Sequence, residues 1–220
     1  MKALVVGATG QTGRRIVEQL VARQIPVRAL VRDRARAQEI LPAAAELVVG
    51  NVLEPETLKS AIADSTVILS ATGAAPSFNP FGPYQVDYEG TKNLVDAAKA
   101  AQVQHFVMVS SLCVSQFFHP LNLFWLILVW KQQAEQYLQR SGLVYTIVRP
   151  GGLKNTDERP PIVMSKADTL FEGSISRDQV AQVCIEALSQ KAARDKIVEI
   201  VARPEAVEYS FSDLFSGVPA

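Results

Sequence analysis

The sequence predicts a three-layer α/β fold built on a doubly wound parallel sheet, and three observations predict it. Short apolar runs alternate with amphipathic segments along the chain; a glycine-rich turn joins the first run to the first amphipathic segment; and the apolar runs are nearly continuous, as suits strands covered on both faces. The 220 residues, 48% of them hydrophobic, match one α/β domain with a real core. No Pro/Gly/Ser linker, internal repeat or low-complexity tract divides them, so residues 1–220 read as a single domain.

The first strand, residues 3–6, runs into Gly7-Ala8-Thr9-Gly10-Gln11-Thr12-Gly13 and then into a helix over residues 12–23. Glycines at these three positions permit a tight turn, let the backbone approach a pyrophosphate without a Cβ in the way, and bring helix close to strand. The helix N-terminus adds free N–H groups and a partial positive charge. The unit is Rossmann-like, and its expected ligand is a dinucleotide held by Gly7, Thr9, Gly10, Gln11, Thr12 and Gly13. A second strand, residues 27–31, ends in Arg32-Asp33 ahead of a helix over 34–41, with Asp33 placed as its N-cap. An acidic residue at this strand end suits the ribose of NAD, whereas an arginine suits the 2′-phosphate of NADP. Arg32 therefore favours NADP (NADPH) over NAD, with a merely solvated Arg32, or Asp33 turned toward the ribose, as the alternatives.

The third strand, residues 46–49, closes on Gly50-Asn51-Val52, and Glu54-Pro55 opens a helix over 55–62. The fourth, residues 67–70, closes on Ala71-Thr72-Gly73. In a parallel sheet both ends face one crevice. Asn51, Val52, Ala71, Thr72 and Gly73 are thus expected around adenine and its ribose, with the Asn51 amide available to the base; turn chemistry is the alternative for Asn51 and Gly73. A helix over 84–101 follows, with Tyr84 and Tyr88 one turn apart, then a fifth strand over 105–110 that leads to Ser111. A helix over 122–140 carries Lys131 and is closed by Ser141-Gly142, and a sixth strand over 145–149 runs into Pro150-Gly151-Gly152. Residues 151–175, rich in Gly, Pro, Asp and Lys, read as irregular: either a small substrate-side lobe or a solvated surface loop. Ser176-Arg177-Asp178 opens the helix over 177–190, and the last strand covers 197–201.

Lys plus Arg equals Asp plus Glu at 22 each, so no global field draws nucleic acid or an anionic membrane. Cys113 and Cys184 lack CxxC or Cys/His spacing, and His105 and His119 stand alone, so neither a metal site nor a disulfide is expected. Ser115 has no nucleophile elbow around it. No signal-peptide pattern precedes the first strand, and a soluble, intracellular chain is expected. The run Leu121-Asn122-Leu123-Phe124-Trp125-Leu126-Ile127-Leu128-Val129-Trp130 is about half the roughly twenty residues a spanning helix needs. Apolar on every face, it either packs in the core beside the coenzyme or offers a face to a partner, a lipid surface or an apolar substrate.

The glycine pattern, Val31-Arg32-Asp33, Gly50-Asn51-Val52, Ser110-Ser111, Trp130-Lys131 and Arg149-Pro150-Gly151-Gly152 together resemble the atypical short-chain dehydrogenase/reductase superfamily. Within it the chain is most similar to the NAD(P)H-binding, NmrA-like branch, which includes biliverdin-IXβ/flavin reductase and small NADP-binding proteins of plastids and cyanobacteria. The resemblance covers nearly the whole chain, and residues 127–138 carry the likeness to the plastid and cyanobacterial group. It implies coenzyme contacts from Ser110, Lys131, Pro150, Gly151 and Gly152, and catalytic roles for Ser111 and Lys131. In active members of the superfamily a Tyr four residues before the Lys donates the proton. Ile127 stands there, and an aliphatic side chain cannot donate one.

What the resemblance leaves is Lys131 to hold the nicotinamide ribose and Ser111 to hydrogen-bond substrate or carboxamide. A flavin, quinone or tetrapyrrole accepts hydride into a delocalised system, with solvent supplying the proton. Two functions are therefore expected: an NADPH-dependent reductase of small planar substrates, or a non-catalytic NADP(H)-binding redox sensor or assembly/tethering factor. The expected compartment is cytoplasmic, or of plastid type. Loss of the Tyr disfavours an epimerase or dehydratase.

Overall fold

In the computed structural model, which describes residues 1–73 and 79–219, the chain starts with β1 (Ala3–Val6), whose four residues are all buried. Then come α1 (Gln11–Ala22), β2 (Val27–Val31), α2 (Arg34–Ile40), β3 (Glu46–Val49), α3 (Pro55–Ile62) and β4 (Val67–Ser70). A π-helical stretch, Tyr84–Glu89, passes directly into α4 (Gly90–Ala100), followed by β5 (His105–Val109), a 3-10 turn (Pro120–Leu123), α5 (Ile127–Gln139) and β6 (Tyr145–Pro150). The chain ends with β7 (Gly152–Lys154), β8 (Ile162–Lys166), β9 (Ser174–Ser176), α6 (Arg177–Ala187), β10 (Lys196–Ala202) and α7 (Phe211–Gly217).

The central strands run parallel in the order β3-β2-β1-β4-β5-β6-β10, with Ala3 opposite both Val27 and Val67. Chain direction across the sheet reverses between β1 and β4, and that switch point opens a crevice at the carboxyl ends of the strands. Alternate strand residues face opposite layers. Ala3 and Val5 pack with Ile16, Val17 and Leu20 of α1 and Val180 and Val183 of α6; Leu4, Val6, Ile68 and Phe106 pack with Leu58 of α3, Leu94 of α4 and Leu138 of α5. Asp33 caps α2 by accepting from the Arg36 N–H, and Ser176 caps α6 by accepting from the Gln179 N–H, as the sequence predicts. Gly142, after α5, has φ +81°, the left-handed conformation that ends a helix.

Besides the π-helical stretch inside the helix expected over 84–101, two segments differ from their sequence readings and one helix adds to them. The helix expected over 122–140 begins only at Ile127, because Trp125 and Leu126 have φ +57° and +58° and break the right-handed spiral. Buried Asn122 spans the break: its side-chain oxygen accepts from the Leu128 N–H, and its amide donates to the Gln116 and Phe117 carbonyls. Residues 121–130 are therefore not one buried helix beside the crevice. Leu128 is buried, but Leu123 is 84% exposed and Phe124, Trp125 and Leu126 also face solvent.

Residues 151–175 are not irregular either. They contain β7, β8 and β9, of which β8 and β9 extend β10 in antiparallel fashion and β7 pairs parallel with β9. Strands of three and five residues, of which only β9 holds buried side chains, are too short to leave a clear period in the sequence. The added helix is α7, capped by Ser210 through the Asp213 N–H and anchored by buried Leu214 and Phe215. Among the described residues, no helix is long and apolar enough to cross a membrane.

One buried polar pair makes the fold sensitive to acid. At the start of β5, His105 Nε2 lies 2.9 Å from Thr146 Oγ1, whose hydroxyl donates to the Ala193 carbonyl, so the imidazole donates through Nε2. Burial pushes the His105 pKa down to about 4. In the unfolded chain the ring takes up a proton near pH 6.5, whereas the folded chain refuses it until about 4. Stability is thus complete above pH 6.5 and falls as the pH drops toward 4. Urea unfolding at pH 7.5 and 4.5 is expected to show His105→Gln losing about 2 kcal/mol less than the parent over that interval. Equal losses would show that His105 is not the group responsible.

Candidate coenzyme crevice

The crevice starts where β1 ends. Gly7 has φ +77°, and a Cβ there would lie 2.6 Å from the Ala71 carbonyl oxygen just beyond β4. The Gly10 N–H donates to the Gly7 carbonyl at 2.9 Å, and a Cβ on Gly13 would lie 2.1 Å from that same oxygen. Backbone therefore meets backbone at Gly7 and Gly13 more closely than any Cβ allows, and at Gly10 a Cβ would lie a tight 3.1 Å from the Gly7 carbonyl oxygen. Gly10 caps α1 without any side-chain hydrogen bond, so the first N–H groups of the helix, from Gln11, Thr12 and Gly13, remain for an outside acceptor. Thr9, Gly10 and Gln11 are exposed, while Thr12 and Gly13 are buried against the sheet. These residues fit a pyrophosphate.

On the β2 side Arg32 is exposed and has no hydrogen-bond or ion-pair partner among the described residues. Asp33 is engaged as the cap of α2. Asn51 holds its own turn: its side-chain oxygen accepts from the Leu53 N–H and its amide donates to Glu54. Val52 packs on the π-helical stretch and α4, where a Cβ at Gly90 would come within 2.6 Å of its Cγ2, and its carbonyl accepts from Asn93. The turn-chemistry alternative thus describes the Asn51 side chain in this structure.

Across the crevice, Ala71 donates its N–H to the Val6 carbonyl, and Thr72 Oγ1 lies 3.2 Å from Ser70 Oγ. Gly73 sits over a charged pair, since its added Cβ would lie 3.8 Å from Asp87 Oδ1 and 3.9 Å from Lys131 Nζ. Those two atoms are 2.7 Å apart. The hydroxyl of buried Ser110 has no hydrogen-bond partner among the described residues. The Leu112 N–H donates to the Pro150 carbonyl, which ties the segment after Ser110 and Ser111 to the turn at Pro150, Gly151 and Gly152. Gly151 in turn is crowded by the Gly173 carbonyl, 2.6 Å from where its Cβ would be.

Ile127 is aliphatic and supplies no acid. Ile127 packs against a cluster of Leu112, Cys113, Val114, Leu128 and Val201, with Val163 and Leu170. The Tyr84 phenol donates to Glu89 and the Tyr137 phenol to Asp96, contacts that raise both pKa values, that of Tyr137 to about 12; burial raises that of Tyr145. Each is a weaker acid than a free phenol. Among the described residues no group of three His, Cys, Asp or Glu side chains could hold a metal ion, and both cysteines are buried free thiols.

Sequence reasoning missed a buried ionic cluster beneath the crevice. Arg149 of β6 donates through Nε and Nη2 to Glu135 of α5, and through Nη1 to Asp168 at 2.9 Å and to Glu199 of β10 at 3.3 Å. Glu199 also accepts the N–H groups of Asp168, Thr169 and Leu170, which pins the turn between β8 and β9. Burial opposes the guanidinium charge, but Glu135, Asp168 and Glu199 outweigh it and hold the Arg149 pKa above the ordinary arginine value. Lone charges inside otherwise apolar strands, Arg149 in one and Glu199 in another, were the available signal.

A glycine turn at the switch point of a parallel sheet defines a dinucleotide-binding α/β protein. The comparisons agree: a family model for NAD(P)H-binding proteins matches residues 7–191. An uncharacterized chloroplastic protein of Arabidopsis thaliana is 49% identical over 99% of this chain and 82% of its own length. Sanguinarine reductase of Eschscholzia californica is 32% identical over 99% of this chain and 96% of its own. The chloroplastic protein TIC 62 of Pisum sativum is 37% identical over 98% of this chain, which spans only 46% of that protein. Among solved structures, a Bacillus halodurans protein of the NAD-dependent epimerase/dehydratase type superposes with a TM-score of 0.87 over 99% of each chain at 27% identity. The chain belongs to the NAD(P)H-binding, NmrA-like branch of the atypical short-chain dehydrogenase/reductases.

Removing the central cation should be severe. Arg149→Met leaves Glu135 and Glu199 buried without their guanidinium and is expected to cost about 3 to 5 kcal/mol in chemical unfolding. An unchanged midpoint and slope would show that the cluster contributes nothing to holding the fold.

Proposed function

We propose that this protein is an NADPH-dependent reductase whose acceptors are planar and delocalised, of the flavin, quinone or tetrapyrrole class. The observation that carries the reading is Lys131 held beneath Gly73, with the buried Ser110 hydroxyl beside Ser111 unpartnered among the described residues, and an aliphatic Ile127 one turn before Lys131 where a proton-donating Tyr would stand. The N–H groups of Gln11, Thr12 and Gly13 take the pyrophosphate, and the free Arg32 guanidinium takes the 2′-phosphate. Lys131 holds the nicotinamide ribose. Ser110 and Ser111, with the turn at Pro150, Gly151 and Gly152, line the reactive end. A bound reduced nicotinamide supplies the hydride, and the chain's task is to hold the two rings together and keep water from between them. With Ile127 in the apolar cluster, the acceptor's proton comes from solvent. The likeness to a reductase over nearly the full length of both chains supports oxidoreductase chemistry.

A second reading, a non-catalytic NADP(H)-binding sensor or tethering factor, draws on one observation: the exposed apolar side chains at Phe117, Phe118, Leu123, Phe124 and Trp125. The likeness to chloroplastic proteins supports a plastid-type setting for either activity.

Mixing the purified protein with NADPH and, in turn, FMN, a quinone and a bilin, while following the reduced-nicotinamide absorbance band, is expected to give turnover with at least one acceptor. Tight NADPH binding with no turnover on any of them would favour the sensor. Arg32→Ala is expected to weaken NADPH by about 2 to 3 kcal/mol and NADH far less, as measured by titration calorimetry. Equal losses for both coenzymes would overturn the choice of NADP.

A further inference from the structure

We propose that Asp87 is a positioning residue for the coenzyme: its buried carboxylate fixes the Lys131 ammonium and leaves two of its three N–H groups for the vicinal hydroxyls of the nicotinamide ribose. The inference rests on the reading that Lys131 faces that ribose.

Asp87 sits in the π-helical stretch Tyr84–Glu89, which runs into α4 without a cap. Such stretches are rare, because their hydrogen bonds and packing are poorer than those of an α-helix, and they persist mostly where an extra residue re-aims side chains at a functional site. Here Asp87 is the buried residue of the stretch, only 3% exposed. On the same wall Tyr84 and Tyr88 pack on Trp130, with ring centroids 4.9 and 6.1 Å away, so the stretch is held against α5 on the residue adjacent to Lys131.

A buried carboxylate is costly unless a cation meets it. Lys131 does so at 2.7 Å, with its own side chain still 15% exposed beneath Gly73 at the crevice mouth. An ammonium has three donors and no acceptor. One is engaged by Asp87, and a vicinal diol needs two. Lysine also carries four rotatable side-chain bonds whose freedom opposes binding unless something else has already ordered them. With Ile127 in place of the neighbouring phenol, the carboxylate of Asp87 supplies that order.

The test compares two ligands by titration calorimetry: NADPH, and adenosine 2′,5′-bisphosphate, which lacks the nicotinamide ribose. Asp87→Asn keeps the shape and removes the charge, and it is expected to weaken NADPH roughly tenfold while leaving the bisphosphate unchanged. Lys131→Met should show the same ligand-selective loss, and the double variant should lose no more NADPH affinity than Lys131→Met alone, because Asp87 acts through Lys131. Asp87→Glu, which keeps a carboxylate in reach, is expected to retain more NADPH affinity than Asp87→Asn; if Asp87→Asn does not fold, Asp87→Glu against the parent carries the comparison through its selective loss of NADPH. Unchanged NADPH affinity in the Asp87 variants, or equal loss of both ligands, would overturn the proposal and leave Asp87 a structural partner. A parent protein that binds the bisphosphate but gains nothing from the rest of NADPH would overturn the placement of Lys131 itself.

Discussion

Backbone packed on backbone at the switch point is the constraint on which the rest of the crevice depends. Gly7 lies against the Ala71 carbonyl and Gly13 against the Gly7 carbonyl, each closer than any Cβ would permit. This brings the N-terminus of α1 to the centre of the sheet's carboxyl edge and carries the chain after β4 directly over Lys131. A methyl group at either glycine would push strand, helix and turn apart together. The shape of the crevice is thus set first by the side chains that Gly7 and Gly13 lack, before any charged residue contributes.

Charged residues then fix the elements that the glycines bring together. Lys131 and Glu135 lie four residues apart, on one face of α5. Lys131 reaches Asp87 in the π-helical stretch, and Glu135 reaches Arg149 in β6, so one helix is held from two directions by ion pairs of opposite polarity. Arg149 passes the constraint on through Glu199 to the turn between β8 and β9, the part of the 151–175 segment nearest Leu170 and the Ile127 cluster. Replacing such buried pairs by apolar side chains often leaves stability unchanged, so their value here is geometric: they set where the lysine and the turn between β8 and β9 stand relative to each other.

The parallel strands were legible because burial on both faces makes them short, continuous apolar runs, and the glycine turn was legible because sterics leave no other residue for it. Helix starts at Asp33 and Ser176 were legible from side chains that accept a backbone N–H. What escaped was structure whose cause is not local. β7, β8 and β9 are short and take their partners from β10 and one another. Trp125 and Leu126 adopt left-handed φ values that no nearby glycine announced, and the cap on Leu128 comes from Asn122, six residues earlier. Asp87 was hidden because an α-helical period puts Tyr84 and Tyr88 on one packing face and gives no hint of a π-helical stretch. Arg149, Glu135 and Glu199 are separated by up to 64 residues of chain, and only the sheet order makes them neighbours.

The most direct measurement of the central claim is a crystal structure of the protein grown with millimolar NADPH. Pyrophosphate oxygens should lie within hydrogen-bond distance of the Gln11, Thr12 and Gly13 N–H groups, with the coenzyme running along the carboxyl ends of β1 and β4. A crevice left empty at that concentration, or a coenzyme bound with its phosphates away from the glycine turn, would contradict it.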